Sequence, residues 1–174
     1  MKKLFILIAC LTLLIGTLAA CGSSDGNTGT LVSTTTPVPT ATPTPVKHFT
    51  VGQTVNVGDT WQVTINSVKT SNGDGFIKPK TGNTFLIVDL TLKNVSSQED
   101  SISSVLNFSI KDGTGQKYED IYLDGNTAPD GKVAAGDNLR GQLVYEVPTS
   151  QHKLTFAFEP DIINSGQTIW DISI

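Results

Sequence analysis

Cysteine is almost absent: Cys10 and Cys21 are the only two in 174 residues, and both lie within the first 21. Beyond residue 21 a disulfide framework and a thiolate metal site are both excluded. Methionine does not recur after Met1, and histidine occurs only at His48 and His152. Copper needs clusters of histidine, methionine or cysteine, and zinc has the same shortage of donors, so neither metal is expected. Both histidines read as surface residues. Basic charge is also scarce. Without residues 1–20, which hold Lys2 and Lys3, ten lysines and arginines face sixteen acids, a net charge of −6. Such a surface argues against nucleic acid and against electrostatic docking on anionic lipid.

One long apolar run is present, at residues 4–18, behind the positive Met1-Lys2-Lys3. It is long enough to enter a translocon and short for a stable membrane span, which suits a removable signal peptide over residues 1–20. At its end Leu18-Ala19-Ala20-Cys21, followed by Gly22, resembles the lipobox of bacterial lipoproteins. The small residues admit the peptidase, and the Cys21 thiol is the expected acceptor of a diacylglyceryl group. Acyl chains such as palmitate contribute ~0.8 kcal/mol per buried methylene, so two or three on one residue hold a protein durably. The expected location is the extracytoplasmic face of the membrane. An ordinary signal peptide and an uncleaved anchor are the competing readings. Leu7-Ile8-Ala9-Cys10 imitates the motif, but cleavage there would leave only residues 4–9 as the apolar region, so Cys10 reads as a small hydrophobe.

Residues 21–47 form a linker of Ser, Thr, Gly, Asn and Pro, with Pro37, Pro39, Pro43 and Pro45 in its second half. It has too little apolar area to offset chain entropy, so disorder is expected. Where extended at ~3.1 Å per residue, it could reach on the order of 80 Å. The Thr-Pro density suits an O-glycosylated stalk equally, and the two readings are compatible.

From residue 48 to 174 the pattern is of period two, broken by turn residues and without helical spacing. Trp61, Val63 and Ile65 alternate with Gln62, Thr64 and Asn66. Residues 85–92 are nearly continuous in apolar side chains, which places that strand centrally, with Leu86, Val88, Leu90 and Leu92 inward and Asp89, Thr91 and Lys93 outward. Phe108 and Ile110 lead to a turn at Asp112-Gly113-Thr114-Gly115. Leu139, Gly141, Leu143, Tyr145 and Val147 alternate with Arg140, Gln142, Val144 and Glu146 until Pro148 ends the pairing. Leu154, Phe156 and Phe158 follow, and Trp170, Ile172 and Ile174 tie the terminus into a sheet. At least seven strands in this rhythm predict an all-β, antiparallel two-sheet immunoglobulin-like β-sandwich, with a closed barrel as runner-up.

Residues 82–94, residues 108–112 with Gly115 and Tyr118, and residues 135–148 resemble a family of exported immunoglobulin-like domains of unknown function. That family is common in bacterial lipoproteins and similar in fold to a small secreted immunogenic protein of mycobacteria. The resemblance covers most of residues 50–174. Ala135 and Tyr145 stand where the family usually has proline and phenylalanine. The shared residues imply turns and close approaches: Gly136 for a turn, Gly141 for a near backbone, Asn94 for a strand exit. The family offers no catalytic residues to transfer.

Reaction chemistry has no recognisable signature. No Gly-x-Ser-x-Gly elbow exists, and Asn164-Ser165-Gly166 reads as a turn. Asn72-Gly73-Asp74-Gly75, Asp112-Gly113, Glu119-Asp120, Asp124-Gly125-Asn126 and Asp130-Gly131 offer oxygen ligands, yet none has EF-hand spacing, and Asx-Gly pairs are what turns require. Acids and aromatics mix only at Tyr118, Glu119, Asp120 and Tyr122, where a solvated strand edge is expected in preference to a sugar platform. Asn94-Val95-Ser96 and Asn107-Phe108-Ser109 fit the glycosylation triplet. The expectation is therefore a non-enzymatic binding or interaction module, held on the membrane through Cys21, with no cofactor. Its partner would be an extracytoplasmic protein or cell-wall ligand. The alternatives are a structural role in the envelope, or a cell-envelope enzyme or solute-binding protein, possibly calcium-stabilised. Either of the last two would need a concave site with convergent polar groups, whereas flat faces over a filled core favour the module.

Overall fold

The computed structural model describes residues 46–73, 76–161, 163 and 166–174. The signal peptide, Cys21, the linker up to residue 45, positions 74 and 75 and the Asn164-Ser165 pair lie outside the described residues. The chain divides into two units, Met1–Thr42 and Pro43–Ile174, and the described residues belong to the second.

Among the described residues eleven strands and one short helix follow in the order β1 (His48–Thr50), β2 (Thr54–Val57), β3 (Trp61–Ser71), β4 (Asn83–Asn94), β5 (Asp100–Ile102), α1 (Ser104–Asn107), β6 (Phe108–Asp112), β7 (Lys117–Tyr118), β8 (Gly131–Val133), β9 (Asn138–Pro148), β10 (Lys153–Phe158) and β11 (Thr168–Ser173). They form a five-stranded sheet, β1-β11-β10-β6-β7, a four-stranded sheet, β2-β3-β4-β9, and the small pair β5-β8. The inward faces of the two large sheets meet in one apolar core, as the period-two pattern requires. Trp61, Val63 and Ile65 of β3, Leu86, Val88, Leu90 and Leu92 of β4, and Leu143, Tyr145 and Val147 of β9 all point there. From the other sheet come Ile110, Phe156, Trp170 and Ile172. Phe156 is the hub of the aromatic packing, with ring centroids 5.7 Å from Phe108, 6.3 Å from Trp170 and 6.5 Å from Tyr145.

Three local features depart from simple alternation. In β3 a bulge between Ile65 and Ser67 makes Asn66 an extra residue, which turns Val68 toward the core one position out of phase. The first strand, β1, pairs in parallel with β11, while every other strand pairing among the described residues is antiparallel. Helix α1 departs from the expected absence of helix, because Asn107 closes one turn around Ser103: its N–H donates to the Ser103 carbonyl and its Oδ1 accepts from the Ser103 N–H.

The punctuation residues take the positions expected of them. Gly136 has φ +85° in the turn before β9. A Cβ on Gly141 would lie 2.5 Å from the backbone nitrogen of Pro129, so the close approach is real. Asn94 is fully buried at the end of β4, where its Nδ2 donates to the carbonyls of Gln98 (2.7 Å) and Val133 (2.9 Å) and its Oδ1 accepts from the N–H and hydroxyl of Ser96. Its side chain thereby satisfies all four of its ordinary hydrogen-bonding capacities. Asn94 and Asn107 are both buried, so neither presents an amide to a glycosylating enzyme.

Asp89 and Val144, expected to face solvent, are both buried, for different reasons. Asp89 is 8% exposed because Arg140 lies over it, Nε and Nη2 each donating at 3.1 Å to one carboxylate oxygen, while Asn66 and Gln142 donate alongside. Val144 is covered by Ile121 and Leu123, which close a second, smaller cluster with Phe85 and Ile87 on the outer face of the four-stranded sheet. This explains the near-continuous apolar run in β4: at its Phe85 end both faces are covered.

Candidate functional site

The segment between β7 and β8 runs along the free edge of β9. Asp120 forms an isolated bridge with Tyr145, the Ile121 N–H donates to the Val144 carbonyl at 2.8 Å, and the Gln142 N–H donates to the Thr127 carbonyl at 2.8 Å. An otherwise open strand edge is thus occupied. Where the segment leaves again, Asp130 reaches α1: its Oδ1 accepts from the Ser104 N–H at 2.6 Å and its Oδ2 from the Ser104 hydroxyl at 3.0 Å. That carboxylate satisfies the first free N–H of the helical turn.

Between α1, this segment and the β7 and β9 edges of the two sheets the surface is hollowed. One cleft of about 200 Å³ is lined by Ser104, Val105, Phe108, Lys117, Tyr118, Glu119, Asp120 and Tyr145. A neighbour of about 270 Å³ shares Ser104, Val105 and Asp120 and adds Tyr122, Asn126, Asp130 and Gln142. Both are small beside the ~300–1,000 Å³ of sites that swallow a whole small molecule. These two are shallow, partly polar clefts at one edge; hollows of about 340 Å³ beside Lys153 and Asp171 and about 330 Å³ beside Thr70 and His152 lie elsewhere on the surface.

Asp120 sits between the two clefts, half-buried. Burial pushes its carboxyl above the ordinary value of 3.8, the Val144 N–H pulls against that, the Asp130 charge pushes further up, and the Ile121 N–H pulls back; burial and repulsion prevail. Its Oδ1 accepts from the Val144 N–H at 3.2 Å, and among the described residues no lysine or arginine forms an ion pair with it. Lys117, on the same cleft, is exposed.

Tyr145 carries the second unusual group. Among the described residues, its hydroxyl and the Trp170 indole N–H are the buried side-chain polar atoms without a partner. Leaving such a group unsatisfied costs about 1–3 kcal/mol. Trp170 belongs to the closed core, whereas Tyr145 also lines the cleft. Burial holds the Tyr145 hydroxyl far above its ordinary value of 10, and the Asp120 charge adds to the effect, so this hydroxyl is protonated at every physiological pH and lies within the field of that carboxylate.

The rim is apolar. Val105 is 74% exposed and Tyr122 79%, on either side of the larger cleft, and Leu106, 63% exposed, faces a hollow on the other side of α1 beside Pro160.

The strand-edge reading of Tyr118, Glu119, Asp120 and Tyr122 holds for Glu119 and Tyr122, which are exposed, and for Tyr118, which lies in edge strand β7 with its hydroxyl donating to Asp112 Oδ2 at 2.9 Å. Asp120 departs from it, because the wrapped segment desolvates the carboxylate. His48 and His152 stay apart: His48 Nδ1 lies 2.8 Å from Asp171 Oδ1, and His152 Nδ1 lies 3.2 Å from the Ile174 carbonyl. The turn carboxylates spend their oxygens locally. Asp112 accepts from the N–H and hydroxyl of Thr114, the Gln116 N–H and the Tyr118 hydroxyl, and Asp124 accepts from the Gly125 N–H. Among the described residues no group of three or more His, Cys, Asp or Glu is placed to hold a metal ion.

Ser104 and the Tyr145 hydroxyl were not legible as site residues, and Asp130 read only as part of an Asx-Gly turn with oxygen ligands to offer. Tyr145 at a family phenylalanine position was the one available signal.

No curated protein matches the chain. Several solved structures share its fold. A presumed lipoprotein of Bacillus subtilis, YcdA, is 17% identical with a TM-score of 0.59, over 68% of this chain and 38% of that one. The present chain thus spans well under half of YcdA. An uncharacterised β-sandwich protein of Clostridium difficile is 15% identical (TM-score 0.54; 77% and 99% of the two chains). The secreted Mycobacterium tuberculosis protein MPT63 is 10% identical (TM-score 0.54; 75% and 98%). At these identities the likeness is one of fold, and it matches the expected mycobacterial resemblance. A domain family of unknown function, DUF4352, matches residues 49–169, nearly the whole sandwich, and the chain belongs to that family.

Proposed function

We propose that this protein is an extracytoplasmic lipoprotein, tethered through a lipid on Cys21, whose sandwich domain binds a partner without catalysing a reaction. The lipobox-like motif and the polar linker support the tether, and the lipoprotein and secreted proteins that share the fold are consistent with that address. The observation that carries the binding role is the apolar rim of Val105 and Tyr122 at the mouth of a cleft. Exposed apolar side chains scattered singly need no explanation, but their grouping around a concavity marks a contact surface. The non-catalytic reading is supported by how the neighbouring groups are engaged. Asp130 has both oxygens on Ser104, and the Ser104 hydroxyl donates to a carboxylate rather than being paired with a histidine base.

The test is site-specific photocrosslinking in intact cells, with a photoreactive side chain at Val105 and, as control, at exposed Lys93 on β4. A discrete adduct from position 105, lost on Tyr122→Asp and not formed from position 93, is expected. Equal labelling from both positions, or none from 105, refutes the assignment.

A further inference from the structure

We infer that the cleft beside Asp120 takes a primary ammonium group carried on a short aliphatic stem. This rests on reading the α1 edge as the binding surface and names the chemistry it recognises. Three observations carry it.

The first is charge. Asp120 is half-buried without a cationic partner among the described residues, Asp130 and Glu119 lie beside it, and Lys117 is the single basic residue on the same lining. A cation is favoured there and an anion repelled. The second is Tyr145, a residue 99% buried that lines the cleft and whose hydroxyl has no partner. It can accept a hydrogen bond from an incoming N–H, and so can the Ser104 oxygen, whose proton is given to Asp130. An ammonium brings three donors and no acceptor, which matches a carboxylate and two hydroxyl oxygens. The third is size and lining. About 200 Å³ suits a group as large as one side chain, and Val105 and Phe108 supply apolar contact for methylenes behind the charge.

Such an ammonium has two sources, a lysine side chain of a peptide or a free diamine. The test is a titration of the purified full chain, followed by amide chemical shifts, with Nα-acetyl-lysine methylamide in one arm and 1,5-diaminopentane in the other. Saturable shifts at Ser104, Asp120 and Val144 are expected, and the tighter arm identifies the source. Asp120→Asn keeps the acceptor for the Val144 N–H but removes the charge. It should weaken binding by about tenfold or more while leaving the melting temperature at neutral pH unchanged or raised. Tyr145→Phe should weaken binding without loss of stability. Lowering the pH should release the probe as Asp120 protonates; the other ionisable groups that face it are Glu119, Asp130, Lys117, Tyr118 and Tyr145. No saturable shift in either arm overturns the inference, as does binding indifferent to Asp120→Asn. Crosslinking from Val105 would be untouched by that failure, so the two readings fall separately.

Discussion

Replacing Gly141 with alanine tests the link between the sandwich and the segment that shapes the cleft. The backbone of Gly141 is ordinary strand, so a side chain introduces no conformational strain of its own. What it meets is Pro129: the added Cβ would stand 2.5 Å from its nitrogen and 2.8 Å from its Cα and Cβ. Carbon contacts are comfortable near ~3.5–4.0 Å, so Pro129 must withdraw by roughly 1 Å. Two of these atoms are backbone, and the Gln142 N–H to Thr127 carbonyl bond on the adjacent residue resists the move. Overpacking of this kind costs about 1–3 kcal/mol, and loss of that hydrogen bond adds about 1 kcal/mol. The reduced freedom of the unfolded alanine chain returns about 0.4–1 kcal/mol. A net loss of about 2 kcal/mol would lower the melting temperature by roughly 8 °C. Asp130 follows Pro129 and holds Ser104, so hydrogen exchange at the Ser104 and Gln142 amides should accelerate more than in the middle of β4. Gly113→Ala, with open space around its Cβ, serves as the control and should stay within about 0.5 kcal/mol. A Gly141→Ala protein as stable as the control, with unchanged protection at Ser104, would refute the argument.

The other expectations concern the outer sheet face, the β4 exit and the anchor. Burial alone would raise the Asp89 carboxyl, but the Arg140 guanidinium and the amides of Asn66 and Gln142 outweigh it and hold it below 3.8. A lowered folded value means that this stabilisation is complete above the unfolded pKa and is lost as pH falls through the folded one. Urea denaturation from pH 6 to pH 2 should therefore show a shallower acid limb for Asp89→Asn than for the parent; identical limbs would exclude the contribution. Asn94→Asp sets carboxylate oxygen against the Gln98 and Val133 carbonyls and should cost more than Asn94→Ala, itself about 3 kcal/mol; chemical denaturation ranks the two, and the reverse order would contradict the hydrogen-bond assignment. Cys21→Ser should abolish metabolic lipid labelling and leave the precursor uncleaved or the protein released, with the sandwich spectrum unaltered. Continued processing and membrane retention would eliminate the lipobox reading.

Local pattern revealed much of the sandwich, because a residue such as Val63 or Leu143 needs only its own strand's alternation to declare which face it takes. Gly141 and Asn94 were legible for a related reason: a glycine within a strand and an asparagine at its end each suggest a backbone requirement. The features that escaped depend on segments distant in sequence. Val144 is buried by residues 121–123, some twenty positions earlier, and Asp120 is desolvated only because that segment lies on β9. The Asn66 bulge and the parallel placement of β1 likewise express pairings that no single stretch encodes. Asp120 was singled out by its aromatic neighbours, whereas its environment came from the fold.

The order of strands in the five-stranded sheet also has a mechanical meaning. The chain enters at β1, and the cleft borders β7, the opposite edge, four strand spacings or roughly 19 Å away at about 4.8 Å each. A pull between residue 48 and a partner held in the cleft therefore crosses every ladder of that sheet sideways. The three-residue register of β1 on β11 is a short ladder at the N-terminal edge, supported by the His48–Asp171 contact and by Phe49 against Trp170 at 6.0 Å. Under such tension the two-residue ladder of β7 on β6 and the three-residue ladder of β1 on β11 should open before the longer ladders between them, while the core behind Trp170 stays closed.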